Sequence, residues 1–249
     1  MGVNDALKAA VSEVPGDVPA VIRTLDAVKA AAVQVDPRGK EDGIASFTLL
    51  YHEITCGVLD AVTAGSFEAG TFIIDLDVAF ACRYLAAIRA LTDGVGRVPR
   101  CWEVLFDVRS DDSVPTLEYA AAGVNAHVNY DLAFALLTTW DSHSSPAERD
   151  AQHRDYCRIN DIFYAKMNTL RHEFHSPFSY FGDGSLANRL GNVFGDLLVR
   201  DTRDLAWDAA MAMWAHRNDS DWEEYRAAEE ERRDHLAALV GFGILHAHF

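Results

Sequence analysis

The stretch from Leu117 to Trp140, LEYAAAGVNAHVNYDLAFALLTTW, constrains this chain more than any other. Apolar residues occupy nearly every side of it at helical spacing, and a helix that is apolar all round must be enclosed by other protein. Yet it carries Asn125, His127, Asn129 and Asp131. At about 100° per residue, His127 and Asp131 stand one turn apart on one face, while Asn125 and Asn129 share another. Each such group costs about 1–3 kcal/mol if left unpaired, and an ionised Asp131 more. Partners must therefore come from other helices, water, a metal or a ligand.

The remainder of the chain supplies helices to do the enclosing. Phe47, Tyr51, Ile54, Val58 and Ala61 step along one helix face, and strand-like alternation is scarce. The pattern predicts helices at 4–13, 18–34, 43–65, 71–92, 99–109, 115–140, 146–174, 185–199, 202–217 and 220–247, with ends good to about 2–4 residues. The expected fold class is all-α, a single compact helical bundle of about eight to ten helices forming one domain over 1–249, with helices 185–247 packed on the rest. Ser145-Pro146-Ala147-Glu148 and Ser220-Asp221-Trp222-Glu223 carry capping-box chemistry at helix starts. Between His175 and Ser185, the longest irregular segment, Phe178, Tyr180 and Phe181 fit a connector packed on the body, and a lid over a pocket would read the same way. The charged run 220–235 reads as a solvated helix face laced with i, i+4 pairs.

Charge bounds the partners. Asp and Glu number 38 against 22 Lys and Arg, and a net charge of -16 repels nucleic acid and anionic membrane surfaces. The longest run free of charged residues, Leu236 to Phe249, falls short of the ~20 apolar residues of a spanning helix. Met1 to Pro19 has no apolar stretch of signal-peptide length, so a cytoplasmic location is expected. Cys56, Cys82, Cys101 and Cys157 lie far apart with no C-x-x-C pair, which predicts free, mostly buried thiols.

Two further helices offer partners for the central one. Asp77 projects beside Phe80, Ala81, Tyr84 and Ile88, a side bound for burial, and needs a donor that Arg83 or Tyr84 can supply locally; Asp75 projects elsewhere and reads as solvated. Asn160 and Tyr164 flank the stripe of Ile159, Phe163, Met167, Leu170 and Phe174, while Asp161 and His172 fall nearly opposite it. His172 and His175 have an H-x-x-H spacing compatible with a metal but common by chance, and His52-Glu53 lacks the second His of a zincin motif. Asn160-Asp161-x-x-Tyr164-x-x-x-Asn168 keeps part of the magnesium motif of terpene cyclases, with Tyr164 and Asn168 replacing the hydroxyl and carboxylate ligands. No nucleophile elbow, P-loop, dinucleotide loop or EF-hand is present.

With these residues in place, the order Phe47–Asp60, Leu76–Leu85, Trp102–Asp107, Gly123–Leu132 and Ile159–Asp161 resembles a bacterial family catalogued as domain of unknown function 5995. The resemblance covers roughly residues 40–175, most specifically in the Asn-x-His-x-Asn-x-Asp segment. It implies a compact helical domain with no assigned reaction, and it marks Asp77, Arg83, Asn125, His127, Asn129, Asp131 and Asn160. Residues beyond about 180 fall outside it.

The leading expectation is a small-molecule enzyme with its site between the central helix and its two neighbours. His127, Asp131 and Asp77 are the catalytic candidates, and Asn125, Asn129, Asn160, Arg83, Tyr84 and Trp102 the substrate contacts. If a divalent metal, zinc or iron, takes part in hydrolysis, His127, Asp131 and Asp77 are also its ligands. The alternative enzyme is a metal-free acid/base isomerase or cyclase of a specialised metabolite, with a pocket walled by Phe80, Tyr84, Phe134 and Trp102. Both imply a small, largely apolar molecule as partner. A third reading is a non-catalytic helical protein that binds an apolar ligand or partner, its central polar residues only locking helix register.

Overall fold

Apolar stripes at helical spacing run through almost every part of the chain, and the computed structural model, which describes residues 3–33, 42–173 and 196–246, contains helices and no strand among them. In order these are α1 (Val3–Ala10), α2 (Val18–Ala32), α3 (Gly43–Thr63), α4 (Gly70–Asp93), α5 (Arg100–Val108) and α6 (Thr116–Ala126). A π turn at His127–Asp131 leads into α7 (Leu132–Ser142), and a 3-10 turn at Pro146–Glu148 leads into α8 (Arg149–Glu173). The last two are α9 (Asp196–His216) and α10 (Trp222–His246). The apolar core draws side chains from every one of these helices, from Leu7 to Leu245.

The central helix is enclosed as its composition demands. α3, α4, α5, α9 and α10 pack around α6, the π turn and α7. From Glu118 to Leu137 every residue is buried except Asn129.

The last helix starts at Trp222, within the Ser220–Glu223 motif, whereas four other helix starts are capped by carboxylates and the Ser145 motif caps none. Ser145 makes no capping hydrogen bond, because Pro146–Glu148 winds as a 3-10 turn ahead of α8. Asp17 and Asp42 cap α2 and α3 locally, accepting from Ala20 N at 2.7 Å and Ile44 N at 2.8 Å. Two more caps cross the fold. Asp155 on α8 accepts from Ala69 N at the start of α4. Asp234 on α10 accepts from Arg100 N at 3.0 Å and Cys101 N at 2.9 Å at the start of α5. The run 220–235 is therefore not wholly a solvated face: Asp234 is buried and Glu230 binds Arg83.

Other expectations also change. α9 continues through 199–202 without the expected break, since nothing there stops a helix and Thr202 Oγ1 bonds back to Val199 O at 3.0 Å. The expected helix 185–199 lies mostly outside the described residues, as do the H-x-x-H side chains and the segment His175 to Ser185. All four cysteines are free, but only Cys101 is buried and the other three are half-buried.

Gly123 sets the spacing between α6 and α3. A Cβ there would sit 2.3 Å from Phe47 Cγ and 2.7 Å from Phe47 Cβ. Phe47 has nowhere to retreat, because its ring packs against Tyr84 at 4.9 Å and Trp102 at 5.3 Å. Gly123→Ala is expected to lower stability by about 1–3 kcal/mol from overpacking, outweighing the ~1 kcal/mol that Ala gains in helix propensity. A thermal melt should show a fall of several degrees; an unchanged or higher midpoint would contradict this packing.

Candidate functional site

The site grows from the π turn. Here Leu132 N–H reaches back to His127 O, one residue further than in an α-helix, and such wide turns recur at functional positions. Asp131, only 1% exposed, has both oxygens occupied. Oδ1 accepts from Arg83 Nε at 3.0 Å, while Oδ2 accepts from Trp102 Nε1 at 2.9 Å and faces His127 Nδ1 at 3.0 Å. A carboxylate paired with a guanidinium is an acceptor only, so Nδ1 of His127 carries the proton and Nε2 is left bare. Nε2 has no hydrogen-bond partner. Burial pushes the imidazole pKa below its ordinary 6.5 against the opposing pull of Asp131, so the ring is neutral at pH 7. Phe80 stacks on it at 3.4 Å and 5°, and the edge of Tyr51 meets it at 4.6 Å, which fixes the ring.

His127 forms part of the wall of an apolar cavity of about 60 Å³, with Phe47, Leu76, Phe80, Ile159 and Phe163 among its neighbours. That volume takes about four waters. Three more polar side chains line it, and each has an unpaired atom: Asp77 Oδ2, the Tyr51 hydroxyl and Arg203 Nε. The expected local partners of Asp77 are engaged elsewhere. Arg83 binds Asp131 and, at 3.2 Å, Glu230, and the Tyr84 hydroxyl donates to Thr48 Oγ1 at 2.7 Å. Burial with no counter-charge raises the Asp77 carboxyl from 3.8 to about 7, and it holds the Tyr51 phenol well above its ordinary value. Arg203 is 6% exposed, donates to Tyr156 O at 3.0 Å and lies over the Tyr156 ring at 4.3 Å. Among the described residues no carboxylate pairs with it.

Several expected site residues stand apart from this cavity. Arg83 and Trp102 hold Asp131, and Tyr84 holds Thr48, so all three act from behind the wall. Of the four expected wall residues Phe80, Tyr84, Phe134 and Trp102, only Phe80 lines the cavity; Phe134 packs on the Arg83 guanidinium at 4.8 Å. Asn125 and Asn129 face α10: Asn125 Nδ2 donates to Ala237 O at 2.7 Å, and Asn129 Nδ2 donates to Asn125 Oδ1 at 2.9 Å. They line a separate, open groove of about 450 Å³ with Arg232, Arg233 and Leu236. Val124, Val128 and Val199 line both spaces, so a layer of valine separates groove from cavity. Asn160 is buried with Oδ1 unpaired, but its neighbours Ile159 and Phe163 are the α8 residues that line the cavity.

The expected metal ligands do not assemble. Arg83, Trp102 and His127 already engage Asp131, and among the described residues the one His, Cys, Asp and Glu group close enough to share an ion excludes His127, Asp131 and Asp77. Tyr51 and Arg203 are the residues that sequence reasoning missed. Tyr51 reads as one more member of an apolar stripe, and Arg203 sits between acidic residues in a helix that looks solvated on that side.

A family model described as Family of unknown function (DUF5995) matches residues 18–247. The chain belongs to this family. The match extends well beyond 40–175, and the DUF5995 fold shows why the last helices belong to it: α9 brings Val199 and Arg203 to the cavity, and α10 brings Glu230 to Arg83. No curated protein and no solved structure matches this DUF5995 chain. Among the described residues no helix is long and apolar enough to cross a membrane.

Asp77 makes stability depend on pH. Its folded pKa of about 7 lies above the ordinary 3.8, so the native state binds the proton more tightly and stability falls as pH rises between those values. The full loss above that window is up to about 4 kcal/mol, at ~1.4 kcal/mol per pH unit. Asp77→Asn keeps the shape and cannot ionise, so its stability relative to the native chain should grow from pH 5 to pH 8 in denaturant titrations. A difference that stays flat would mean that Asp77 is solvated.

Proposed function

We propose that the chain is an acid–base enzyme acting on a small, largely apolar molecule, with His127 Nε2 as the base and the Asp77 carboxyl as the acid. One observation carries this reading. Asp131 holds Nδ1 of His127 and leaves Nε2 without a partner in the wall of an apolar cavity. An imidazole kept neutral by burial offers its lone pair at neutral pH, and a carboxyl near 7 is partly protonated there and can give its proton up. Nε2 takes a proton from one carbon of the substrate and Asp77 delivers its own to another position, the elementary step of an isomerase or cyclase. The Tyr51 hydroxyl and the Arg203 guanidinium are donors for charge developing on an oxygen, so a molecule with one carbonyl or carboxylate end on an apolar body fits best. Metal-assisted hydrolysis through His127, Asp131 and Asp77 finds no such support, because among the described residues these three are not gathered closely enough to share an ion.

The cavity's volume favours one competing reading, in which ordered water alone fills it and the polar groups serve stability. Turnover separates the two. In deuterium oxide, a panel of small enolisable ketones and enones should exchange α-protons in the presence of the native chain, followed by NMR. His127→Gln should slow that exchange by about 10²–10⁴-fold, and Asp77→Asn should slow it too, with both variants folded by circular dichroism. No exchange above a control protein anywhere in the panel would leave only the non-catalytic reading.

A further inference from the structure

We propose that His153, Cys157 and Asp204 form a zinc site that clamps α8 to α9, separate from the His127 cavity. Each residue offers one ligand atom, and the three atoms lie within 4.8 Å of one another. His153 and Cys157 are one turn apart on α8, with Nε2 and Sγ separated by 3.7 Å. A tetrahedral ion with Zn–N of ~2.0–2.1 Å and Zn–S of ~2.3 Å needs those two atoms about 3.6 Å apart, so the pair is already at ligand spacing. Asp204 is exposed, and rotation of its carboxylate closes the remaining distance.

The positions are braced without any ion. Tyr156 and Arg203, the immediate neighbours of Cys157 and Asp204, lock the two helices in register: the Tyr156 hydroxyl donates to Arg203 O at 2.6 Å, and Arg203 Nη2 donates to Tyr156 O at 3.0 Å. The imidazole of His153 rests against Trp207 at 4.6 Å, which limits its rotation. Imidazole with thiolate selects a borderline ion such as zinc over calcium or magnesium. Coordination releases the thiol proton of Cys157 to solvent. Three protein ligands leave a fourth position open on the side of exposed Asp204, the arrangement of zinc sites that hold a water.

Cobalt(II) reports the site directly. Titrated into the full-length native chain, one equivalent should give a thiolate-to-cobalt charge-transfer band and the strong visible bands of a tetrahedral ion, both removed by zinc. Cys157→Ser should abolish the charge-transfer band, and His153→Gln and Asp204→Asn should each weaken binding at least tenfold, with helix content unchanged. His127→Gln should bind as the native chain does, which keeps this site distinguishable from the cavity. The proposal is overturned if no thiolate band forms at one equivalent, if the band survives Cys157→Ser, or if neither His153→Gln nor Asp204→Asn changes affinity.

Discussion

Everything central to this fold is arranged around Asp131, a carboxylate almost wholly withdrawn from water. Burying such a group costs several kcal/mol unless a counter-charge and well-placed donors compensate, and three elements bring them: Arg83 from α4, Trp102 from α5 and His127 from the π turn itself. Arg83 extends the network to α10 through Glu230, which also accepts from the Tyr130 hydroxyl at 3.0 Å. Four parts of the chain are therefore held in register by one ion pair and its neighbours. The same requirement fixes the imidazole, since the only role left to Nδ1 of His127 is that of donor.

The proposed chemistry rests on the contrast across His127. On the Asp131 side the polar atoms are paired. On the other side Nε2, Asp77 Oδ2, the Tyr51 hydroxyl and Arg203 Nε meet one apolar cavity with no partner among them. Buried polar atoms in native proteins are nearly always satisfied, and in the proposed reading the substrate is what would pair with these four. The cavity is lined mainly by apolar side chains, and burial is also what keeps the imidazole neutral and raises the Asp77 carboxyl.

Sequence periodicity was enough to place most of the helices and to identify the central one as enclosed. The i, i+4 spacing of His127 and Asp131 was also enough to bring them together, since that contact lies within one turn. What sequence did not reveal depends on how helices dock. Arg83 lies on the same helix as Asp77, six residues on, but its long side chain points to Asp131 and to Glu230 on the last helix. Asp234 belongs to a run that reads as a solvated face, yet it and Asp155 cap helices that only the tertiary fold brings to them. Tyr51 has no signal distinguishing it from a core tyrosine, and Arg203 joins the cavity only because α9 lies across it. Asn125 and Asn129, singled out for their polarity in an apolar helix, satisfy each other and α10 instead.

The site turns on the position of one proton on His127, and nitrogen-15 NMR of the histidine side chains observes it. His127 is expected to be neutral at pH 7 with the proton on Nδ1, an unprotonated Nε2, and a pKa below 6.5. A ring protonated at neutral pH, or one carrying its proton on Nε2, would contradict it.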